Sequence, residues 1–437
     1  MMIINYTKFC VNLFFVLIYS CSQQYQYDII ISQGNVYDGS GTSPSILDNN
    51  NWSLILNENG SIQSLLFKKS NQKFLFNEDN FVGPSWYFEK NGKIVDIEGS
   101  IAIEQKETFS HGKDVSLDRY VYSFNYDNLE LGIEYKDDDG KLLILATVKN
   151  NQHIPFQPDK LGIRIGIDTY MDVYPQWEEK LFPTLLRCEK THFWGYFMSP
   201  LGKILSISSP DPIASWSHNY SKSWGNAPYL YNGHRITSVN LDLVNRLPLP
   251  ERHPQNLWQI LPGKKKSFKI YLDEVEKLED VSTTIRNFTK APFIKMTNTS
   301  CEPKETFDFW VESDSEPQVI ITSPKGKSFE VKGILSNSHT YKYSLHNTDS
   351  EGLYSVNAIG INGKISEATF YVRKPYSWYM QQAMEAVIEY PQKASKSHNE
   401  SWYGFYTIYA GGKHFKNNPN IEKADKQFLK IFPKVFH

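Results

Sequence analysis

Leu129 to Asn151 reads LELGIEYKDDDGKLLILATVKNN. Apolar residues recur at every second position on the way in (Leu129, Leu131, Ile133, Tyr135) and on the way out (Leu142, Ile144, Ala146, Val148). Successive side chains of a strand point to opposite faces, so this pattern predicts two strands that are each apolar on one side. Between them D-D-D-G supplies the backbone conformation of a tight hairpin turn. The pattern recurs in NWSLILNENGSIQSLLFKK (Asn51–Lys69) and, around an Asn-Gly turn, in WYFEKNGKIVDIE (Trp86–Glu98). CEKTHFWGYFMSPLGKILSISSPDP (Cys188–Pro212) reads as core strands through Phe193, Trp194, Tyr196 and Phe197. No long amphipathic helix interrupts this run. Residues 51–275 are therefore expected to form one large antiparallel sandwich in a mainly β chain.

A chain of 437 residues is too long for one ordinary core, so several domains are expected. Lys and Arg (46) nearly balance Asp and Glu (48), which argues against a dedicated nucleic-acid partner. Aromatic residues make up 14% of the chain. They suit sandwich cores, and they equally suit carbohydrate recognition, because flat rings stack on sugar faces. No P-loop, nucleophile elbow, dinucleotide fingerprint, CxxC or zinc spacing occurs, and no cofactor is expected.

The first 24 residues, MMIINYTKFCVNLFFVLIYSCSQQ, place Lys8 before an apolar run and a polar stretch after it. That is the layout of a signal peptide, too short for a spanning helix with flanks. Ile18-Tyr19-Ser20-Cys21 resembles a bacterial lipobox, and the following Ser-Gln-Gln resembles the mature end of a Bacteroidetes-type lipoprotein. The resemblance implies residues 1–21 as signal peptide, lipidation at Cys21, a lipid anchor as the sole membrane contact, and residence in the cell envelope at the outer membrane. An ordinary cleaved signal is the alternative. With Cys10 and Cys21 so assigned, Cys188 and Cys301 remain.

Next comes YDIIISQGNVYDGSGTSP (Tyr27–Pro44), which resembles the opening hairpin of cyclic amidohydrolases, a family of metal-dependent barrels. Their metal site starts from two His one residue apart, a spacing that sets both imidazoles on one strand face. None of the eleven His of this chain is so spaced, and H-E-x-x-H is missing too. Residues 22–50 thus read as a tether and first hairpin, with no metal site expected.

Glu276 to Pro292 reads as a short helix or linker. In 293–374, FDFWVESDSEPQVIITSPKGKSFEVKG and EGLYSVNAIGINGKIS predict a second, Ig-like sandwich. After Pro375 the period changes. Met380, Met384, Val387 and Ile388 fall on one helical face, and Pro391 ends that helix. Ile421, Ala424, Phe428, Leu429 and Phe432 repeat the behaviour.

The stretch NENGSIQSL (Asn57–Leu65) resembles the opening of galactose-mutarotase-like supersandwich domains, and LPGKKKSFKIYLDEV (Leu261–Val275) resembles their closing segment. A supersandwich, an Ig-like module and the start of a helical hairpin in that order resemble the N-terminal part of six-hairpin (α/α)-toroid glycoside hydrolases and polysaccharide lyases. The resemblance implies a short α-helical C-terminal segment over 375–437 that is the start of an incomplete toroid. It implies a polysaccharide or oligosaccharide partner and a role in polysaccharide degradation. With about one hairpin present, the chain alone is expected to be inactive. A non-catalytic glycan-binding or scaffolding lipoprotein is the alternative.

The candidate chemistry lies in two clusters. SHNESWYGFY (Ser397–Tyr406) resembles the first inner loop of such toroids. Glycoside cleavage needs paired acidic groups, and Glu400 is flanked by His398, Trp402 and Tyr403. In a lyase His398 or Tyr403 would serve as base. Trp402 would stack on sugar. The alternative is a helix cap at Ser397 or Asn399 with Trp402 in the core. The second cluster, SWSHNYSKSWGNAPYLYNGHR (Ser215–Arg235), reads as a loop rich in Ser, Asn and Gly. Trp216, His218 and Trp224 would contact sugar, with Arg235 reading a carboxylate; packing against another domain is the alternative. A mutarotase-like pair of His192 and His218 with Glu178 or Glu179 has no support in the spacing.

Overall fold

The computed structural model describes residues 30–33, 45–56, 62–75, 84–98, 102–103, 108–111, 114–117, 119–126, 128–167, 178, 180–220, 236–346, 348–389, 422 and 426. The chain divides into two units, Met1–Phe293 with Gly360–Ser366, and Ile294–Ile359 with Glu367–His437.

In the first unit the strands are β1 (Ile30–Gln33), β2 (Ser45–Asp48), β3 (Trp52–Leu56), β4 (Ile62–Phe67), β5 (Gln72–Leu75), β6 (Ser85–Lys90), β7 (Lys93–Glu98), β8 (Ala102–Ile103), β9 (Thr108–His111) and β10 (Asp114–Leu117). They continue as β11 (Arg119–Tyr126), β12 (Leu129–Asp138), β13 (Lys141–Asn150), β14 (Lys160–Gly166), β15 (Phe182–Cys188), β16 (Phe193–Met198), β17 (Ile204–Ser209), β18 (Ser215–Tyr220), β19 (Ile236–Asn245) and β20 (Lys265–Val275). The larger sheets have the orders β1-β7-β6-β14-β19-β18, β15-β16-β17-β20-β13-β12-β11-β8 and β2-β3-β4-β5.

The hairpin at Leu129–Asn151 forms as its sequence predicts. Asp139 and Gly140 take positive φ, 56° and 78°, the turn whose twist matches right-twisted strands. Leu131 lies opposite Val148, Ile133 opposite Ala146 and Tyr135 opposite Ile144. All six are buried in one core, so a one-residue slip would turn them out. Asn91 and Gly92 make the same turn between β6 and β7. The core is shared by three sheets: Trp86, Ile163 and Leu241 enter it from the first, Ile133 and Ile270 from the second, Leu54 and Leu65 from the third.

Two features of the early chain go beyond the tether expected there. β1 pairs in parallel with β7, and β2 pairs with β3, bringing Leu47 fully into the core. The Asp38-Gly39 turn lies outside the described residues, as do residues 1–21 with Cys21. Helix α1 (Val281–Thr289) follows β20 and packs Val281 and Ile285 on Trp194, Ile204 and Val275.

The second unit holds β21 (Phe293–Lys295) from Ile294 on, β22 (Ser300–Cys301), β23 (Phe307–Glu312), β24 (Gln318–Thr322), β25 (Ser328–Val331), β26 (Ile334–Asn337), β27 (Thr340–Leu345), β28 (Gly352–Ile359) and β29 (Ile365–Val372) from Glu367 on. Two sheets, β21-β23-β27-β26 and β22-β29-β28-β24-β25, enclose an aromatic core. Phe370 stacks between Phe307 (3.8 Å) and Tyr354 (4.9 Å). Helix α2 (Tyr376–Glu389) then begins where the period changed. Cys188 and Cys301 are both free and buried. No helix among the described residues is long and apolar enough to cross a membrane.

Candidate functional site

Three neighbouring strands of the six-stranded sheet alternate, apart from a bulge on β19 that puts both Leu243 and Val244 in the core. On β6, Trp86 and Phe88 face the core while Ser85, Tyr87 and Glu89 face away. On β14, Leu161, Ile163 and Ile165 face in and Lys160, Gly162 and Arg164 face out; on β19, Val239, Leu241 and Leu243 face in and Ser238, Asn240 and Asp242 face out. Such a face is ordinarily solvated. Here it is enclosed: Tyr87 and Asp242 are 1% exposed, Asn240 2%, Arg164 5%.

Cross-strand register sorts these side chains into rows. Glu89 lies opposite Lys160 and pairs with it at 3.0 Å. The next row runs Tyr87, Gly162, Asp242, Ser215. The Tyr87 hydroxyl donates to Oδ1 of Asp242 and the Ser215 hydroxyl to Oδ2. Asn245 Nδ2 donates to Ser215 Oγ at 2.7 Å. The third row runs Ser85, Arg164, Asn240, Ser217; Arg164 Nε donates to Asn240 Oδ1 at 3.2 Å, and its guanidinium sits 5.3 Å from the centre of the Tyr87 ring.

A buried carboxylate is costly unless donors satisfy it. Burial pushes the Asp242 carboxyl up from its ordinary value, against the pull of the Lys160 charge and the two hydroxyls. Burial, with the Asp242 charge, holds the Tyr87 phenol well above its own. Each group thus gives up its proton at a higher pH than it would in water.

Among the described residues β18 is the edge strand of this sheet. Ser215 to Tyr220 was expected as loop; it is a strand because Ser-Trp-Ser-His-Asn-Tyr alternates with period two, a signal masked by its Ser and Asn content. Ser215 and Ser217 join the polar rows. Trp216 and His218 lie on the opposite side, across from Leu241 and Val239, half-buried, with rings stacked at 4.9 Å and 21°. Burial lowers the His218 pKa, so the imidazole is neutral at neutral pH. The structure thus brings together two of the expected sugar-contacting residues. Trp224, Arg235, His398, Glu400, Trp402 and Tyr403 lie outside the described residues.

Two further basic side chains near this sheet are occupied locally. Arg246 pairs with Asp159, and His253 Nδ1 lies 2.8 Å from the Ala214 carbonyl. His192 is 1% exposed beside Thr191, and burial, with the charges of Lys364 and Arg187, brings its pKa down to about 3. It flanks the eight-stranded sheet, whereas His218 belongs to the six-stranded one. Among the described residues no group of three or more His, Cys, Asp or Glu is arranged to hold a metal.

With this geometry in place, the likeness to solved structures is informative. The chain is similar in fold to a Bacteroides polysaccharide lyase. The match has a TM-score of 0.60 at 12% identity and covers 90% of this chain. The chain spans 61% of the lyase's length. A galactose mutarotase-related enzyme from Lactobacillus acidophilus (TM-score 0.33, 10% identity, 55% of this chain and 99% of that one) is also similar. So is a mutarotase-like protein from Lactobacillus casei (TM-score 0.29, 12% identity, 53% of this chain and 100% of that one). The sequence matches no family model, and no curated protein matches it. The lyase-like fold and the mainly β architecture agree with the resemblance stated from sequence.

Proposed function

We propose that the chain handles polysaccharide as the N-terminal part of a polysaccharide-degrading lyase or glycoside hydrolase of the cell envelope, anchored through lipidated Cys21. The observation that carries this reading is the fold likeness to a polysaccharide lyase along 90% of the chain. Trp216 supplies an aromatic face for a sugar ring, and the neutral His218 beside it a hydrogen-bonding edge. Trp224 and Trp402 would add stacking faces, and Arg235 would pair with a uronate carboxylate. Glu400, His398 and Tyr403 are the proposed acid–base groups.

One observation favours a second reading, non-catalytic glycan binding. The described members of the site, Trp216 and His218, form a half-buried stack suited to contact with sugar rather than to proton transfer. Purified chain offered a panel of acidic and neutral polysaccharides separates the two. Retention in glycan affinity electrophoresis with release of reducing ends or unsaturated products marks an enzyme. Retention without release marks a binding protein, and neither outcome rejects both.

A further inference from the structure

Residues 250–255 form a braced turn against the start of β18. The His253 N–H donates to the Pro250 carbonyl at 2.9 Å, and Gln255 Nε2 donates to the carbonyls of Pro250 and His253, each at 2.9 Å. Pro250 and Pro254 restrict the backbone on both sides. The His253 ring closes the turn onto the strand, its Nδ1 lying 2.8 Å from the Ala214 carbonyl. Ala214 is buried in the core that Trp216 packs against. Two residues apart on an extended chain, they share one side and lie about 7 Å apart. Arg252 is therefore carried on a rigid turn beside the residues that lead into Trp216 and His218.

Arg252 has no carboxylate partner among the described residues. Its Nε is shut off from solvent and donates to no group there, while the side chain as a whole is half-buried. The two carboxylates whose charge reaches the Cys188 thiol together with that of Arg252 are Asp242 and Glu189. Both are committed elsewhere: Asp242 accepts from Tyr87 and Ser215, and Glu189 pairs with Arg187 at 3.0 Å. Arg246, by contrast, has its own carboxylate in Asp159. A shielded guanidinium donor without an acceptor is costly, and the planar fork of an arginine is matched by a carboxylate in two parallel bonds.

We propose that Arg252 is a specificity-determining residue: its guanidinium pairs with the carboxylate of a uronate unit in a glycan whose neighbouring ring stacks on Trp216, so that the ligand is an acidic polysaccharide. The inference rests on the glycan reading of the Trp216–His218 pair proposed above and adds the chemical class of the glycan. The turn that carries Arg252 is braced before any ligand arrives, so little ordering cost falls on binding. His218 offers a hydrogen-bonding edge without a charge at neutral pH. Among the described members of the site, recognition of a negative charge therefore falls to Arg252.

The test is affinity electrophoresis of the full chain in matched glycans: polygalacturonate, alginate and glucuronoxylan, each beside its carboxyl-reduced form. Wild type should bind at least one acidic glycan about tenfold more tightly than the reduced form. Arg252→Gln should lose that preference and bind the reduced form as wild type does. Arg252→Lys keeps the charge without the fork and should retain part of the preference. Trp216→Ala should weaken both forms together. Raising salt from about 50 mM to about 200 mM should narrow the preference of wild type and leave Arg252→Gln unchanged. Thermal midpoints show which variants are folded, and the salt series with Arg252→Lys carries the test if Arg252→Gln is not. A wild type that binds glycan without preferring the acidic form, or an Arg252→Gln that keeps the preference, overturns the inference and leaves the glycan reading standing. Binding to none of these glycans rejects both.

Discussion

Tyr87 and Asp242 meet across an intervening strand, because the residue between them, Gly162, has no side chain. Gly162 lies opposite both in register and sits at a bulge where β14 shifts against β19. A Cβ there would overlap the Leu241 carbonyl oxygen and come within 3.0 Å of the Asp242 Cα. Both are main-chain atoms, so the ladder itself would have to move.

Gly162→Ala should therefore destabilise the first unit by about 3 kcal/mol or more, and should break the Tyr87–Asp242 contact. Gly92→Ala is the control: its φ of 72° strains an alanine, but no atom lies within 4 Å of the added carbon. Its cost should be about 1 kcal/mol. Urea midpoints of the two variants check the difference.

Two buried groups should tilt stability with pH in opposite directions. Burial pushes Asp273 up to about 6, so its contribution is full below the ordinary carboxylate value and is lost as pH rises toward 6. His192, brought down to about 3, contributes fully above its ordinary imidazole value and loses that contribution as pH falls. Asp273→Asn should flatten the stability profile on the side from about pH 4 to pH 6, and His192→Gln the side below about pH 6.5. Thermal midpoints across that range read both.

Gly140 sets the turn on which the large sheet hinges. Its φ is positive, and the Asn51 side chain packs where a Cβ would stand while donating to the Gly140 carbonyl at 3.0 Å. Gly140→Ala should cost about 2 kcal/mol from backbone strain and displacement of Asn51. Asn51→Ala combined with Gly140→Ala should cost less than the sum of the two, since one contact is lost in both. A double-mutant cycle by urea unfolding measures this.

These relationships explain what the sequence conveyed. Asp139-Gly140 and Asn91-Gly92 announce their hairpins because positive φ is a local demand met by few residue types. Met380 and its neighbours announce α2 because helical period is local too. Asn240 and Asp242 were silent: alternating polar residues are what a solvated sheet face also shows, and only the folded chain reveals that both faces are covered. Gly162 carries no local mark of the Leu241 backbone, which lies 79 positions further along the chain. Trp216 and His218 stood out by type, yet their strand did not, because Ser and Asn on the partner face resemble a loop.

The Trp216 face is the proposed contact of this lyase-like fold with polysaccharide. The direct measurement is glycan affinity electrophoresis of wild type and Trp216→Ala against acidic and neutral polysaccharides, with circular dichroism to show that both are folded. Wild type should be retarded by at least one glycan, and Trp216→Ala should bind it about tenfold more weakly, the loss of one ring's stacking. Retardation of neither protein by any glycan, or equal retardation of both, would contradict it.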